Sequence, residues 1–183
     1  AELLNWSELG RSMGVSDATA RSYADLLDGA MMIRLLRPWH ENLGKRQVRR
    51  PKLYFRDSGM LHALLGISTL AELEVHPRVG ASWEGFLIEE LRRALRAQPD
   101  EIFFWRTEHG AELDLLFIRG RRRVGFEIKR TSAPTMTPSM HRALADLRLD
   151  HLYCMHSGTH RFPLHGERVE AVPWSQLLDV ARE

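Results

Sequence analysis

A chain of 183 residues with ordinary apolar content can bury a core and suits one or two small domains. Its 26 Lys and Arg against 24 Asp and Glu leave a formal charge of +2, too little for bulk charge to identify a partner, so the placement of charge matters more. The single cysteine, Cys154, excludes an internal disulfide and suits a reducing, cytoplasmic compartment, while no apolar run is long enough to cross a bilayer and no signal-peptide pattern opens the chain, so no membrane is expected.

The chain opens on Ala1-Glu2, without methionine and directly inside a helical pattern, and so reads as the C-terminal part of a longer protein. No GxxxxGK[ST] motif occurs, so no ATP site is expected within these residues. Residues 6–13 read as a short helix, 14–16 as a turn, and 17–27 as a second helix with Ser16 as its N-cap. Val15, Ala20, Tyr23, Leu26 and Leu27 predict one apolar face. Two helices joined by a three-residue turn form a helix-turn-helix pattern. Strand-like runs at 31–36 and 52–55 flank a polar segment, and together these elements predict a winged helix over residues 1–67. The exposed face of the second helix would carry Asp17, Thr19, Arg21, Ser22 and Asp25; two acids there make a poor major-groove reader. The hairpin differs. Arg34, Arg37, Lys45, Arg46, Arg49, Arg50 and Lys52, with Arg56, stand against one acid, Glu41. This is a candidate nucleic-acid-binding strip; a solvated loop, or a surface that docks on another domain, accounts for it equally well.

Residues 57–67 predict a short apolar helix closed by Gly66, and 68–80, with Pro77 and Gly80, a linker. Residues 81–97 predict an amphipathic helix with Leu87, Ile88, Leu91 and Leu95 buried and Glu89 and Glu90 in solvent. Glu84 falls one turn before this stripe and on it. An acid there should sit at the edge of the core, aimed at a sheet; a first-turn acid favoured by the helix dipole is the plainer account. Residues 101–106 read as a strand and 113–118 as a strand buried on both faces, interrupted by Asp114. A charge in such a strand is costly unless it is paired or binds a metal. After a turn at 119–121, Val124, Phe126 and Ile128 alternate with Gly125, Glu127 and Lys129, which places Glu127 and Lys129 on one face about 7 Å apart.

Two carboxylates on neighbouring strands, with a lysine two residues beyond the second, can hold a divalent cation and stabilise a phosphate. Asp114 and Glu127, with the Ile128 carbonyl as third ligand, would bind Mg²⁺ or Mn²⁺; Glu84 would support the metal or its water. Lys129 would stabilise the attacking water or the developing phosphorane charge. A buried ion-pair network of Glu84, Asp114 and Lys129 that merely fixes the sheet explains the same residues without chemistry. Farther on, 138–147 and 174–180 read as helices and 151–156 and 169–172 as strands, which completes an α/β core over residues 81–183. His151, His156, His160 and His165 match no zinc-ligand spacing with Cys154 and read as surface histidines.

The stretches WHENLGKR (39–46), PKLYFRDSG (51–59), VGASWEGF (79–86), GAELDL (110–115) and FEIK (126–129) make the chain resemble the C-terminal region of prokaryotic P-loop AAA-type ATPases that end in a domain of unknown function. The resemblance covers nearly the whole chain. It implies an α/β (α+β) fold: a winged helix-turn-helix, then a PD-(D/E)XK, restriction-endonuclease-like three-layer core with a mixed sheet. It also implies an ATPase domain ahead of these residues. In that family's pattern Glu84 is the helix acid, Asp114 the central metal ligand, and Glu127 and Lys129 the E-x-K pair. The expected function is a DNA-associated, Mg²⁺-dependent phosphodiester hydrolase module of a larger ATPase, with RNA as a second substrate class. The alternative is a catalytically inactive nucleic-acid-binding or protein-interaction module that regulates the ATPase.

Overall fold

A computed structural model of the chain describes residues 1–40 and 48–182. Its first elements follow from local signals. Helix α1 (Trp6–Met13) stops where Gly14 turns left-handed, and α2 (Asp17–Gly29) starts where the Ser16 side chain accepts the Thr19 N–H. The turn between them is tight because Gly10 lacks a side chain: a Cβ there would stand 2.8 Å from the Val15 carbonyl oxygen. The packed face of α2 differs from the expected one. Ala20 and Ala24 are buried, whereas Tyr23 and Leu26 are 49% and 70% exposed. The stripe that packs steps by four and is built of small residues, which lets the helices approach closely.

Strands β2 (Ile33–Leu36) and β3 (Lys52–Phe55) pair antiparallel, and a short β1 (Glu2–Leu3), not expected from the sequence, adds to the other edge of β3. Helix α3 (Ser58–Leu64) is capped by Asp57, whose carboxylate accepts the Gly59 and Met60 N–H groups. A further helix, α4 (Leu70–Val75), lies where Pro77 and Gly80 suggest a linker. Thr69 and Glu72 form its reciprocal capping box, a signature present in the sequence. Helix α5 (Val79–Ala94) follows. The chain forms two compact units: Ala1–Leu36 with Arg50–Phe86, and the described residues of 37–49 with those from Leu87 onward. By packing, the division falls within α5.

The second unit is built on a six-stranded mixed sheet. Its strands are β4 (Ile102–Arg106), β5 (Glu112–Arg119), β6 (Arg122–Lys129), β7 (His151–His156), β8 (Phe162–His165) and β9 (Val169–Pro173), in the order β4-β5-β6-β7-β9-β8. The first three form an antiparallel meander; β6, β7 and β9 are parallel; β8 lies antiparallel at the edge. Helix α6 (Pro138–Asp146), with proline in its first turn and Thr137 as cap, joins parallel β6 to β7. It sets Met140 and Ala143 into a core with Trp105, Leu113, Leu116, Leu152 and Cys154. A 3₁₀ turn (Trp174–Gln176) and α7 (Leu177–Val180) follow. Gly125 in β6 leaves room for the Leu149 side chain, whose end would have to shift from a Cβ placed 2.6 Å away.

Residues 37–39 and 48 run beside β4. The Phe104 N–H donates to the Arg37 carbonyl at 3.0 Å, the Trp39 N–H to the Phe104 carbonyl at 2.7 Å, and the Val48 N–H to the Arg106 carbonyl at 3.0 Å. From α5, Leu87, Ile88 and Leu91 are fully buried as expected. Glu89 is buried too, against the expectation of solvent. Its carboxylate takes the Arg92 Nε at 3.1 Å, the neighbour one turn on that makes its burial tolerable. The α+β class with a mixed sheet therefore holds.

Candidate functional site

The ladder between β5 and β6 runs from the Arg119–Arg122 pair to the Leu115–Phe126 pair. Asp114 and Glu127 lie one step beyond its last pair, on adjacent strands. Here a side chain takes over from the ladder: the Ile128 N–H donates to Asp114 Oδ2 at 2.9 Å. The residue whose carbonyl was expected as third ligand thus already meets Asp114. Glu127 is buried, and its Oε1 lies 2.7 Å from the half-exposed Lys129 Nζ. Asp114, Glu127, Ile128 and Lys129 are therefore brought together at the end of β6, as their spacing predicts.

The electrostatics define what Lys129 can do. Burial alone would lower the pKa of its ammonium; the Glu127 carboxylate, through charge and a hydrogen bond, and then the Asp114 charge outweigh burial and hold it above its ordinary value. Lys129 is thus a fixed positive charge and not a base at neutral pH. Cys154, which faces Glu127 in the parallel register of β6 and β7, belongs to the same neighbourhood. Burial, then the Glu127 charge, pushes its thiol up to about 12 despite Lys129, with Asp114 adding to the shift. Sequence reasoning missed this neighbour, although counting β7 from His151 against β6 from Val124 would have placed it there.

Glu84 lies in the first unit, where its Oε1 takes the Lys52 Nζ at 2.7 Å. Lys52 is buried, and so is Arg34, so neither is presented to solvent for a phosphate. Both sit on the paired strands β2 and β3, where alternation turns them inward. Arg56 is held by Asp28 at 2.9 Å and by the Ile33 carbonyl at 2.7 Å. Arg37, Arg49 and Arg50 are exposed. Arg50 shares a groove with Trp6, Asp17, Arg21 and Asp25, where acids offset the bases. Lys45 and Arg46 lie outside the described residues.

Among the described residues, no group of three or more His, Cys, Asp or Glu side chains is gathered so as to hold a metal ion. Asp114 and Glu127 are two carboxylates, and a Mg²⁺ ion is commonly held by one or two carboxylates with water and substrate phosphate completing its shell. One oxygen of each carboxylate is already engaged, Asp114 Oδ2 by the Ile128 N–H and Glu127 Oε1 by Lys129. His156, expected at the surface, is fully buried in β7. Its Nδ1 accepts the Gly158 N–H at 3.0 Å and its Nε2 lies 3.1 Å from the His160 carbonyl, which fixes a neutral tautomer. Burial lowers its pKa, against the pull of that carbonyl.

An α+β protein with paired strand carboxylates beside a fixed ammonium is what this geometry defines. The chain belongs to the family described as a domain of unknown function (DUF4143), whose pattern matches residues 79–177. A second domain of unknown function (DUF8612) matches residues 1–71. The chain is 49% identical over 177 residues to "Uncharacterized protein Rv2008c" of Mycobacterium tuberculosis and to "Uncharacterized protein Mb2031c" of Mycobacterium bovis. These matches cover 97% of this chain and 40% of each relative's length. No solved structure matches the chain. No helix among the described residues is long and apolar enough to cross a membrane.

Proposed function

We propose that this chain is the DNA-associated, nuclease-like module of a larger AAA-type ATPase, with the first unit as a winged helix and the second as a PD-(D/E)XK-like domain. The observation that carries the reading is the convergence of Asp114, Glu127 and Lys129 around Ile128 at the end of β6. Asp114 and Glu127 would hold Mg²⁺ or Mn²⁺, which when bound supplies Lewis-acid polarisation of phosphate and a water of lowered pKa. Lys129, kept charged by the two acids, offers its ammonium to a phosphate oxygen on which charge develops. Asp114 also orients Ile128 through its N–H. DNA is the expected substrate and RNA the second; the ATPase domain is the expected partner in the longer protein.

The test is calorimetric titration of Mg²⁺ and Mn²⁺ into wild type and Asp114→Asn, with DNA and RNA cleavage measured on the same samples. Asparagine keeps an acceptor for the Ile128 N–H and removes the charge. The expected result is metal binding and cleavage in wild type, both lost in the variant. Absence of both in wild type overturns the catalytic reading. One observation favours the second reading, a catalytically inactive nucleic-acid-binding or protein-interaction module that regulates the ATPase: Glu84 is engaged by Lys52 within the first unit. That reading expects no metal binding and unchanged DNA affinity in Asp114→Asn.

A further inference from the structure

At the start of β6, five residues before Glu127 and roughly 17 Å away along the strand, the β5–β6 turn carries four arginines in five residues: Arg119, Arg121, Arg122 and Arg123. No acid lies among them. Arg119 stands directly opposite Arg122, an arrangement of like charges that weakens an antiparallel pair. Two of the four serve the fold. Arg119 forks onto Glu101 at 2.7 and 2.8 Å and reaches the Leu95 and Arg96 carbonyls at the end of α5. Arg123 reaches the Leu147 carbonyl at the end of α6 at 2.9 Å, while its backbone N–H holds Asp150. Arg121 and Arg122 are exposed and form no ion pair among the described residues.

The two helices that end beside this turn share an unusual feature. Each closes in the same capping motif: the Arg96 N–H returns to Arg93 and the Ala97 N–H to Arg92, and the Arg148 N–H returns to Ala145 and the Leu149 N–H to Leu144. The residue at the bend of this motif is left-handed and usually glycine. Here it is arginine both times, Arg96 at φ 50° and Arg148 at φ 52°, and both side chains are exposed. A non-glycine residue in this conformation costs about 1 kcal/mol. The carbonyls that end these helices are taken by Arg119 and Arg123, so Arg96 and Arg148 are not needed as their hydrogen-bond donors.

We infer that Arg96, Arg121, Arg122 and Arg148 form a docking surface for the phosphate backbone of a nucleic-acid duplex. Arg96 stands at the helix end tied to Arg119, and Arg148 beside the carbonyl tied to Arg123, with Arg121 and Arg122 on the turn between them, all four exposed, and the guanidinium fork matches phosphate oxygens. Among the described residues, no large apolar side chain of the turn or of either helix end is exposed. The surface therefore lacks the apolar residues that enter a lipid interface and the aromatic platforms on which unpaired bases stack. Binding there is independent of sequence. The inference rests on the proposed function only for the class of partner, not for cleavage.

The test uses the 183-residue chain in EDTA, with fluorescence anisotropy of a labelled 20-base-pair DNA duplex across a salt series. The variants are Arg96→Gly with Arg148→Gly, and Arg121→Gln with Arg122→Gln. The glycine pair removes charge where glycine suits the backbone, so melting temperature should hold or rise while duplex affinity falls several-fold. Each pair should reduce the slope of log affinity against log salt by about 1.8, near 0.9 for each phosphate that is no longer neutralised. Unchanged affinity and slope in both pairs overturn the inference, as does wild type that binds phosphatidylserine vesicles and not duplex. Asp114→Asn run alongside separates the two proposals. Loss of binding in the arginine variants, with no cleavage by wild type in Mg²⁺, leaves the surface standing and removes the catalytic reading; the reverse pattern does the opposite.

Discussion

Lys129 shows how three neighbours set the role of one side chain. Glu127→Gln removes the strongest of the groups that keep it charged, so burial then dominates and its pKa falls. The expected outcome is a Lys129 amine that acylates faster near neutral pH than in wild type, read by mass spectrometry of the modified peptide. Cys154, with its thiol near 12 and its side chain buried, should resist iodoacetamide at pH 8 in the native protein and react fully in denaturant. Glu101 gives a pH test. The Arg119 side chain, then the Gln98 N–H, holds its carboxyl down to about 2 from an ordinary 4.5. Because the folded value is the lower one, its contribution is complete above about 4.5 and is lost as pH falls toward 2. Arg119→Met should flatten the acid limb of the stability curve in that window. The strand acids were legible in the sequence because a carboxylate interrupting an apolar run stands out. The partner of Glu84 was not: helix period gives a face, but Lys52 lies 32 residues earlier, and only the folded chain brings it within 2.7 Å.

At the level of elements, what could be read depended on how local the cause was. The α1–turn–α2 segment emerged with its boundaries at the turn, because Gly14 and Ser16 act on their own neighbours, while α2 runs on to Gly29, two residues past the expected end. Strand β1 escaped because a piece of two residues carries no period, and β8 because Pro163 stands inside it. Helix α4 escaped because Pro77 and Gly80 outweighed the Thr69–Glu72 box, which the structure shows complete. Thr69→Ala should therefore cost about 1 kcal/mol in a denaturant titration. A sharper case is Gly10. Helix propensity favours alanine over glycine by about 1 kcal/mol. Here the added methyl meets the Val15 carbonyl oxygen at 2.8 Å, so backbone must move. Gly10→Ala should destabilise by about 1–3 kcal/mol despite propensity, read by the shift in denaturation midpoint. A stabilised variant would mean that the turn adjusts freely.

Across the whole molecule, the order of the units is not the order of the chain. The first is interrupted by residues 37–49, whose described members belong to the second. Sequence composition places a linker at 68–80, which is where the two family matches, 1–71 and 79–177, also meet; packing groups the residues up to Phe86 with the first unit. The chain spans 40% of the length of its mycobacterial relatives, so the ATPase partnership belongs to the proposal and to experiments on the longer protein. The strip beside β4 has one more consequence. β4 is the outermost strand on its side of the six-stranded sheet, and Arg37, Trp39 and Val48 occupy hydrogen-bonding groups on its free flank. An uncovered strand flank recruits other strands and seeds aggregation. A polypeptide starting at Val79 would keep α5 and every strand of that sheet, yet leave Phe104 and Arg106 with unmet backbone groups. Light scattering should show it self-associating where the 183-residue chain stays dispersed, and supplying residues 37–49 as a peptide should suppress that association by acting as a molecular selvedge.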